Sequence, residues 1–366
     1  MESMFVRIPA LAARHGAINL AQGVFDHGPP AELLAALAAV SADPGVHQYM
    51  PSAGVLALRE AVASGSSPET EVTVTAGATE ALHCTMAALL SAGDEALVVE
   101  PAYEQYAPAI VAAGGVPVPV RLTSLDGSFA SLLAGAVTAR TRVVVVNSPW
   151  NPLGRVLTDD EWDALAELAS SRGIVVVSDE TYEHLVTSRP RGVLDVVTDP
   201  ESRVKISSVS KSLAATGWRI GWAIAGPGLT RRIRAVHQYV TFCPAVPLQV
   251  AAASVLGSSA VDGVTGAVAA GLHERAGWFA DVLNGIGIAT KPAASPFYLV
   301  ADVGEAASDW CDRMVLDGGV AALPLSVFYS APVPEVDRMV RFAVCKRRET
   351  LEGAATRLAA RHQPRA

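Results

Sequence analysis

Apolar and polar positions change rhythm several times along this chain of 366 residues, and each change predicts an element. Over 1–18, Phe5, Ile8, Leu11 and Ala12 recur at helical spacing and Gly16 stops the helix. Residues 18–23 read as a short strand running into a turn, and Gly28, Pro29 and Pro30 mark an exposed bend. Helices are predicted over 31–40 and 55–63, with a loop over 48–54 between them. From Glu71 onward strands and helices alternate. The pattern predicts strands over 72–75 and 96–100, with a helix between them that is apolar nearly all round and therefore buried. The runs at 142–146 and 174–177 are continuous and β-branched, the mark of strands covered on both faces. The extended run 116–121 contains Pro117 and Pro119, which cannot donate to a ladder, so it belongs at an edge. Thr158 and Glu161 form a capping box for a helix that carries Trp162, Leu165 and Leu168 on one face and stops at Gly173. Strands are predicted over 204–206, 218–225, 297–302, 319–323 and 339–344. Helices are predicted over 229–238, to about 256, and over 263–283, 310–316 and 348–360.

This order predicts an α/β fold: a large domain with a mixed, mostly parallel sheet covered by helices, plus a smaller α+β domain built from both chain ends. The expected division is 1–30 as an N-terminal arm and part of the small domain, 31–265 as the large domain, and 266–366 as the small C-terminal domain.

Composition narrows the picture. The chain is 51% hydrophobic and 17% charged, which excludes disorder. Its formal net charge is −8 and it has no basic run, which argues against nucleic acid or an anionic membrane as partner. Cys84, Cys243, Cys311 and Cys345 lack metal-site spacing and read as free thiols in a reducing compartment, with no metal expected. No apolar run is long enough to span a bilayer and 1–20 has no signal-peptide core, so the expected location is the cytoplasm.

Candidate chemistry falls at strand ends. Lys211 sits among Ser207, Ser208, Ser210 and Ser212, with Arg219 eight positions later. An amine next to an anion site suits a Schiff base to pyridoxal phosphate, with the arginine on the phosphate. Gly77, Ala78 and Thr79 turn into a buried helix N-terminus, where free N–H groups make a phosphate cradle. Asn147 and Asn151 share a loop with Pro149 and Pro152 at the C-terminal end of a strand, where α/β sheets bind ligands. Asp179 directly follows a buried valine run and needs a partner, and a protonated pyridine nitrogen is a suitable one. Tyr49 and His27 lie in loops and read either as ligand contacts or as loop residues.

Taken in this order, the Gly77–Thr79 turn, Tyr103, Asn151, Asp179 with Tyr182, Lys211 with Arg219, and finally Arg341 resemble the class I/II, fold-type I aminotransferases. The pattern is most similar to the kynurenine, glutamine and methionine aminotransferase branch. The resemblance implies a pyridoxal-phosphate enzyme that moves an α-amino group from an L-amino acid to a 2-oxo acid. It implies that Lys211 forms the Schiff base and shuttles the proton, that Asp179 pairs with the pyridinium, and that Asn151 and Tyr182 bond the ring hydroxyl. Tyr103 would stack on the ring, and Gly77, Ala78, Ser208 and Arg219 would hold the phosphate. Arg341 would clamp the substrate carboxylate, helped by Asn151 and Gly23. Tyr49 would reach the neighbouring subunit's phosphate, which implies a homodimer with shared sites. The sequence departs from the family pattern at 24–27 and in the brief segments 64–70 and 304–309, and these bear on substrate identity. A competing reading keeps the fold and diverts the α-carbanion, as a β-lyase or as an oxidase or cyclase on an arginine-like amino acid. His27 is the residue that motivates it.

Overall fold

The β-branched runs assemble into sheets in a computed structural model that describes residues 3–63, 71–125 and 127–361. In chain order the strands are β1 (Ile18–Asn19), β2 (Val72–Thr75), β3 (Glu95–Glu100), β4 (Val116–Arg121), β5 (Thr141–Asn147), β6 (Val175–Asp179), β7 (Arg203–Ser208) and β8 (Gly221–Ala225), then β9 (Ala289–Thr290), β10 (Tyr298–Asp302), β11 (Val320–Ala321), β12 (Leu323–Pro324) and β13 (Met339–Ala343). Seven of them form the main sheet, in the order β2-β8-β7-β6-β5-β3-β4. Neighbours run parallel from β4 to β7, while β8 runs against both β7 and β2. The all-valine stretch of β5 is buried on both faces, as its sequence requires. β4, with its two prolines, lies at the edge and is its most exposed strand.

The capping box holds. Thr158 Oγ1 accepts from Glu161 N at 3.3 Å, and Glu161 Oε2 accepts from Thr158 N at 2.9 Å. Arg155 adds two bonds of 2.8 Å to the same buried carboxylate. The helix Asp159–Arg172 buries Trp162 and Leu165 and ends at Gly173, whose φ of 64° is the left-handed conformation glycine adopts without cost.

A second sheet has the order β12-β13-β10-β9, and β1 pairs in parallel with β11, matching Ile18 to Val320. The N-terminal segment is thereby built against the C-terminal third of the chain. The helix Val261–Gly285 packs on the closing helix Arg348–Arg361 and runs continuously through position 265.

Two expected strands differ in the structure. The run 218–225 is not one strand: Thr216–Trp218 is a 3-10 turn, Arg219 sits at φ 52°, and β8 begins only at Gly221. The run 319–323 is split between β11 and β12, which belong to different sheets. The brief segment 64–70 lies outside the described residues.

Candidate active site

The C-terminal ends of the parallel strands deliver the site. β5 ends at Asn147, β6 at Asp179 and β7 at Ser208, and β3 leads through Pro101 to Tyr103. The short helix Val209–Ser212 follows β7 and carries Lys211. β2 leads through Gly77 into the helix Ala78–Leu89. These ends and Arg341 from β13 converge on one cavity of about 340 Å³.

At one end of the cavity the cradle is a backbone structure. Gly77 has φ 81° and ψ 171°, a region essentially reserved for glycine. The first-turn N–H groups of its helix have no carbonyl ahead of them and are free for an anion. A Cβ at Gly77 would meet Arg219 Nη2 at 2.5 Å, and one at Gly221 would meet the Gly77 carbonyl carbon at 2.5 Å. Both glycines are therefore needed for the guanidinium to lie over the turn. Arg219 Nη1 donates to the Thr216 carbonyl at 3.0 Å, and its left-handed backbone swings the side chain to this position. Ser208 is buried and its hydroxyl accepts from Ser210 N at 3.3 Å.

In the middle, Asp179 accepts from Thr181 N at 3.2 Å, Thr181 Oγ1 at 2.6 Å and Tyr106 Oη at 2.9 Å. Burial pushes its carboxyl above the usual range, against the pull of these bonds and of the Lys211 charge. Burial likewise pushes the Tyr103 hydroxyl up to about 12 and raises that of Tyr182. Lys211 Nζ donates to the Gly23 carbonyl at 2.8 Å and stands 4.7 Å from the Phe297 ring centroid. Asn147 braces its loop: its amide donates to the Asp179 carbonyl at 2.7 Å and its Oδ1 accepts from Asn151 N at 2.6 Å.

At the far end Arg341 is 1% exposed. Its Nη1 donates to Asn151 Oδ1 at 2.9 Å and its Nη2 to the Ala21 carbonyl at 2.5 Å. The guanidinium lies 3.9 Å from the Tyr298 ring centroid and 4.8 Å from that of Phe328. Among the described residues its buried Nε–H has no acceptor, and its planar fork suits a carboxylate.

Of the residues singled out in the sequence, Gly23, Ala78, Tyr103, Asn151, Asp179, Tyr182, Ser208, Lys211, Arg219 and Arg341 line this cavity, and Gly77 abuts it through Arg219. Tyr49 does not. It is 90% exposed, meets the Phe242 ring at 5.7 Å and borders a separate groove beside Cys243. His27 also faces away: Nδ1 pairs with the Gly28 carbonyl at 3.0 Å, and the side chain borders another groove with Pro29 and Arg275. The sequence reading gave no role to Tyr106, Thr181 or Tyr298. Tyr106 opens the helix Tyr106–Ala112, where a buried aromatic by itself is core packing. Only the 73-residue contact with Asp179 gives it a role.

A family model described as aminotransferase class I and II matches residues 15–358. A probable N-succinyldiaminopimelate aminotransferase of Mycobacterium tuberculosis is 37% identical over 381 residues, covering 97% of this chain and 95% of the relative. A methionine aminotransferase of Escherichia coli is 35% identical, with the same coverage of both chains. The solved structure of the Mycobacterium tuberculosis N-succinyldiaminopimelate aminotransferase superposes with a TM-score of 0.92, covering 98% of this chain and 97% of that one. That of an Escherichia coli protein with methionine aminotransferase function gives 0.91 at 34% identity, again covering 98% and 97%.

Proposed function

The chain belongs to the class I and II aminotransferases, enzymes that transfer amino groups, and we propose that it does so with pyridoxal phosphate, moving the α-amino group of an L-amino acid with an uncharged side chain to a 2-oxo acid. The observation that carries the reading is the meeting of Lys211, Asp179 and Arg341 in one cavity. The residues present fit the cofactor: two glycines whose Cβ atoms would crowd the cradle, a buried carboxyl with no salt bridge among the described residues, and an amine lining the same cavity.

Pyridoxal phosphate, when bound, supplies the electron sink that makes the substrate α-carbon acidic. Arg219, Ser208 and the first-turn N–H groups from Ala78 would hold its phosphate. Asp179 would pair with its ring nitrogen, while Tyr106 and Thr181 fix the carboxyl's orientation. Tyr103 would pack on its ring, and Asn151 and Tyr182 would hydrogen-bond its hydroxyl. Lys211 Nζ would take the proton from the substrate Cα. Arg341 presents a planar fork to the α-carboxylate.

Charge at the cavity supports the substrate class. Among the described lining residues the cations are Lys211, Arg219 and Arg341, and each already has a task. Phe5, Val6, Val24, Gln22, Gln105 and Glu104 border the rest, so a second carboxylate on the donor would find two neutral amides but no free cation, and a like charge at Glu104. The exposed Tyr49, Tyr239 and Phe242 support a homodimer in which Tyr49 reaches the partner's phosphate. The four free cysteines support a reducing, cytoplasmic setting. The same reading takes 31–265 as the large domain, with 1–30 and 266–366 forming the small one.

A panel of amino donors with 2-oxo acceptors tests the proposal, read by formation of the donor's oxo acid. Methionine, leucine, phenylalanine and glutamine are expected to react, and aspartate, glutamate and N-succinyldiaminopimelate to lag. Lys211→Ala is expected to slow transfer by about 10²–10⁴-fold. A panel in which no donor yields its oxo acid overturns the reading.

A further inference from the structure

One buried cluster lies outside the reaction. Glu80, Cys84 and His237 each offer a ligand atom within 4.8 Å of the others. Their hydrogen bonds decide what the cluster is. His237 Nε2 faces the Ser52 carbonyl at 2.9 Å, and Nδ1 faces Glu80 Oε1 at 3.1 Å. A carbonyl only accepts, so Nε2 carries a proton. Burial raises the Glu80 carboxyl, yet bonds from His237, from the Thr241 hydroxyl at 2.6 Å and from Ala76 N at 2.5 Å together hold it below its ordinary value. Both ring nitrogens thus have protein partners, and burial pushes the Cys84 thiol to about 12, away from the thiolate form a metal takes.

The cluster adds a polar tie between the cradle turn, the loop that carries Tyr49 and a helix that already packs its apolar side on the cradle helix, with Leu229 and Ile233 in one core with Ala81, Leu82 and Met86. Ala76 opens the turn into the cradle, and Glu80 stands in the first turn of the cradle helix. His237 ends the helix Pro227–His237, and Thr241 precedes Phe242. Ser52 lies three residues after Tyr49, whose ring meets that of Phe242. We infer that Glu80 and His237 are positioning residues that fix the Gly77–Thr79 anion cradle and the Tyr49–Phe242 face as one rigid unit, so that loosening the tie loosens both. The inference rests on the cradle and the dimer face proposed above.

The test uses the holoenzyme with Glu80→Gln, His237→Gln, the double variant and the milder Thr241→Val. Four quantities are measured: the dissociation constant of pyridoxal phosphate, the subunit dissociation constant by sedimentation equilibrium, KM for the amino donor at saturating cofactor, and Tm. Each of the first two variants is expected to weaken cofactor binding and subunit association about tenfold, the scale of one lost charge-assisted hydrogen bond. KM at saturating cofactor stays unchanged, a split that general unfolding would not produce. The double variant is expected to be no worse than the worse single one, because both break one tie. Thr241→Val is expected to shift both constants about threefold. Should the buried substitutions fail to fold, Thr241→Val decides alone. Unchanged constants in variants that fold, or a double loss equal to the product of the single losses, overturn the inference while the cradle stands. A wild-type protein that binds no pyridoxal phosphate overturns the cradle reading and the inference with it.

Discussion

Gly77 carries the tightest local constraint in the site. Its φ of 81° with ψ of 171° excludes other residues, and Arg219 Nη2 occupies the space a Cβ would need. Gly77→Ala is expected to cost about 1–3 kcal/mol of stability from backbone strain alone. It also pushes the guanidinium off the turn, so the affinity for pyridoxal phosphate falls while KM for the donor at saturating cofactor does not. Thermal melts and cofactor titration check the two parts. Asp179 gives a pH signature in the apoprotein. Its carboxyl titrates higher in the folded chain than in the unfolded one, because burial opposes the charge. Between those two values the folded state holds a proton the unfolded state has lost. This contribution to stability is therefore fully present below the ordinary carboxylate value and is lost as pH rises through the folded one. Asp179→Asn removes that loss. Melting temperatures of apoprotein and variant from pH 4 to 8 are expected to converge at acid pH and separate as pH rises, the variant being the more stable. Parallel curves would refute the assignment.

The elements show which parts of the fold are legible in sequence. Thr158 and Glu161 announced the helix they start because capping is local: four residues contain the whole interaction. Thr158→Ala is expected to cost about 0.5–2 kcal/mol and leave transfer rates unchanged, since the helix lies away from the cavity. Denaturant melts with parallel rate measurements check this. The buried strands were equally legible, because a valine run has few other uses. Two runs misled because their apolar pattern continues where the strand does not, through a change of partner in one and a backbone break in the other. In 319–323 the residues are buried throughout, yet β11 joins β1 and β12 joins β13. In 218–225, Arg219 leaves the extended conformation so that its side chain reaches the cradle, and no local pattern records that. The site divides the same way. Lys211, Asp179 and Asn151 stand at strand ends with unusual neighbours and were readable. Tyr106 and Tyr298 act through partners 73 and 116 residues distant, and such pairing has no trace in a linear pattern.

At the scale of the whole molecule, the proposed dimer would cover large apolar side chains that stand exposed among the described residues. Tyr49 is 90% exposed, Tyr239 86% and Phe242 42%. Wild-type protein is expected to sediment as a dimer. Phe242→Asp shifts it toward monomer, because a charge then has to be buried at the seam. Tyr49→Phe keeps the dimer and weakens pyridoxal phosphate binding about tenfold, the scale of one hydrogen bond to a charged group. Loss of the dimer in the second variant, or its retention in the first, would contradict this arrangement.

The loop after β1 holds two cationic side chains by its backbone: the Gly23 carbonyl accepts from Lys211 and the Ala21 carbonyl from Arg341. In the proposed reaction a substrate carboxylate that takes Arg341 would displace the Ala21 oxygen, so binding there would be an exchange of one oxygen partner for another. The binding free energy would then report only the difference between the two partners, as when a tenant replaces a caretaker in a furnished room.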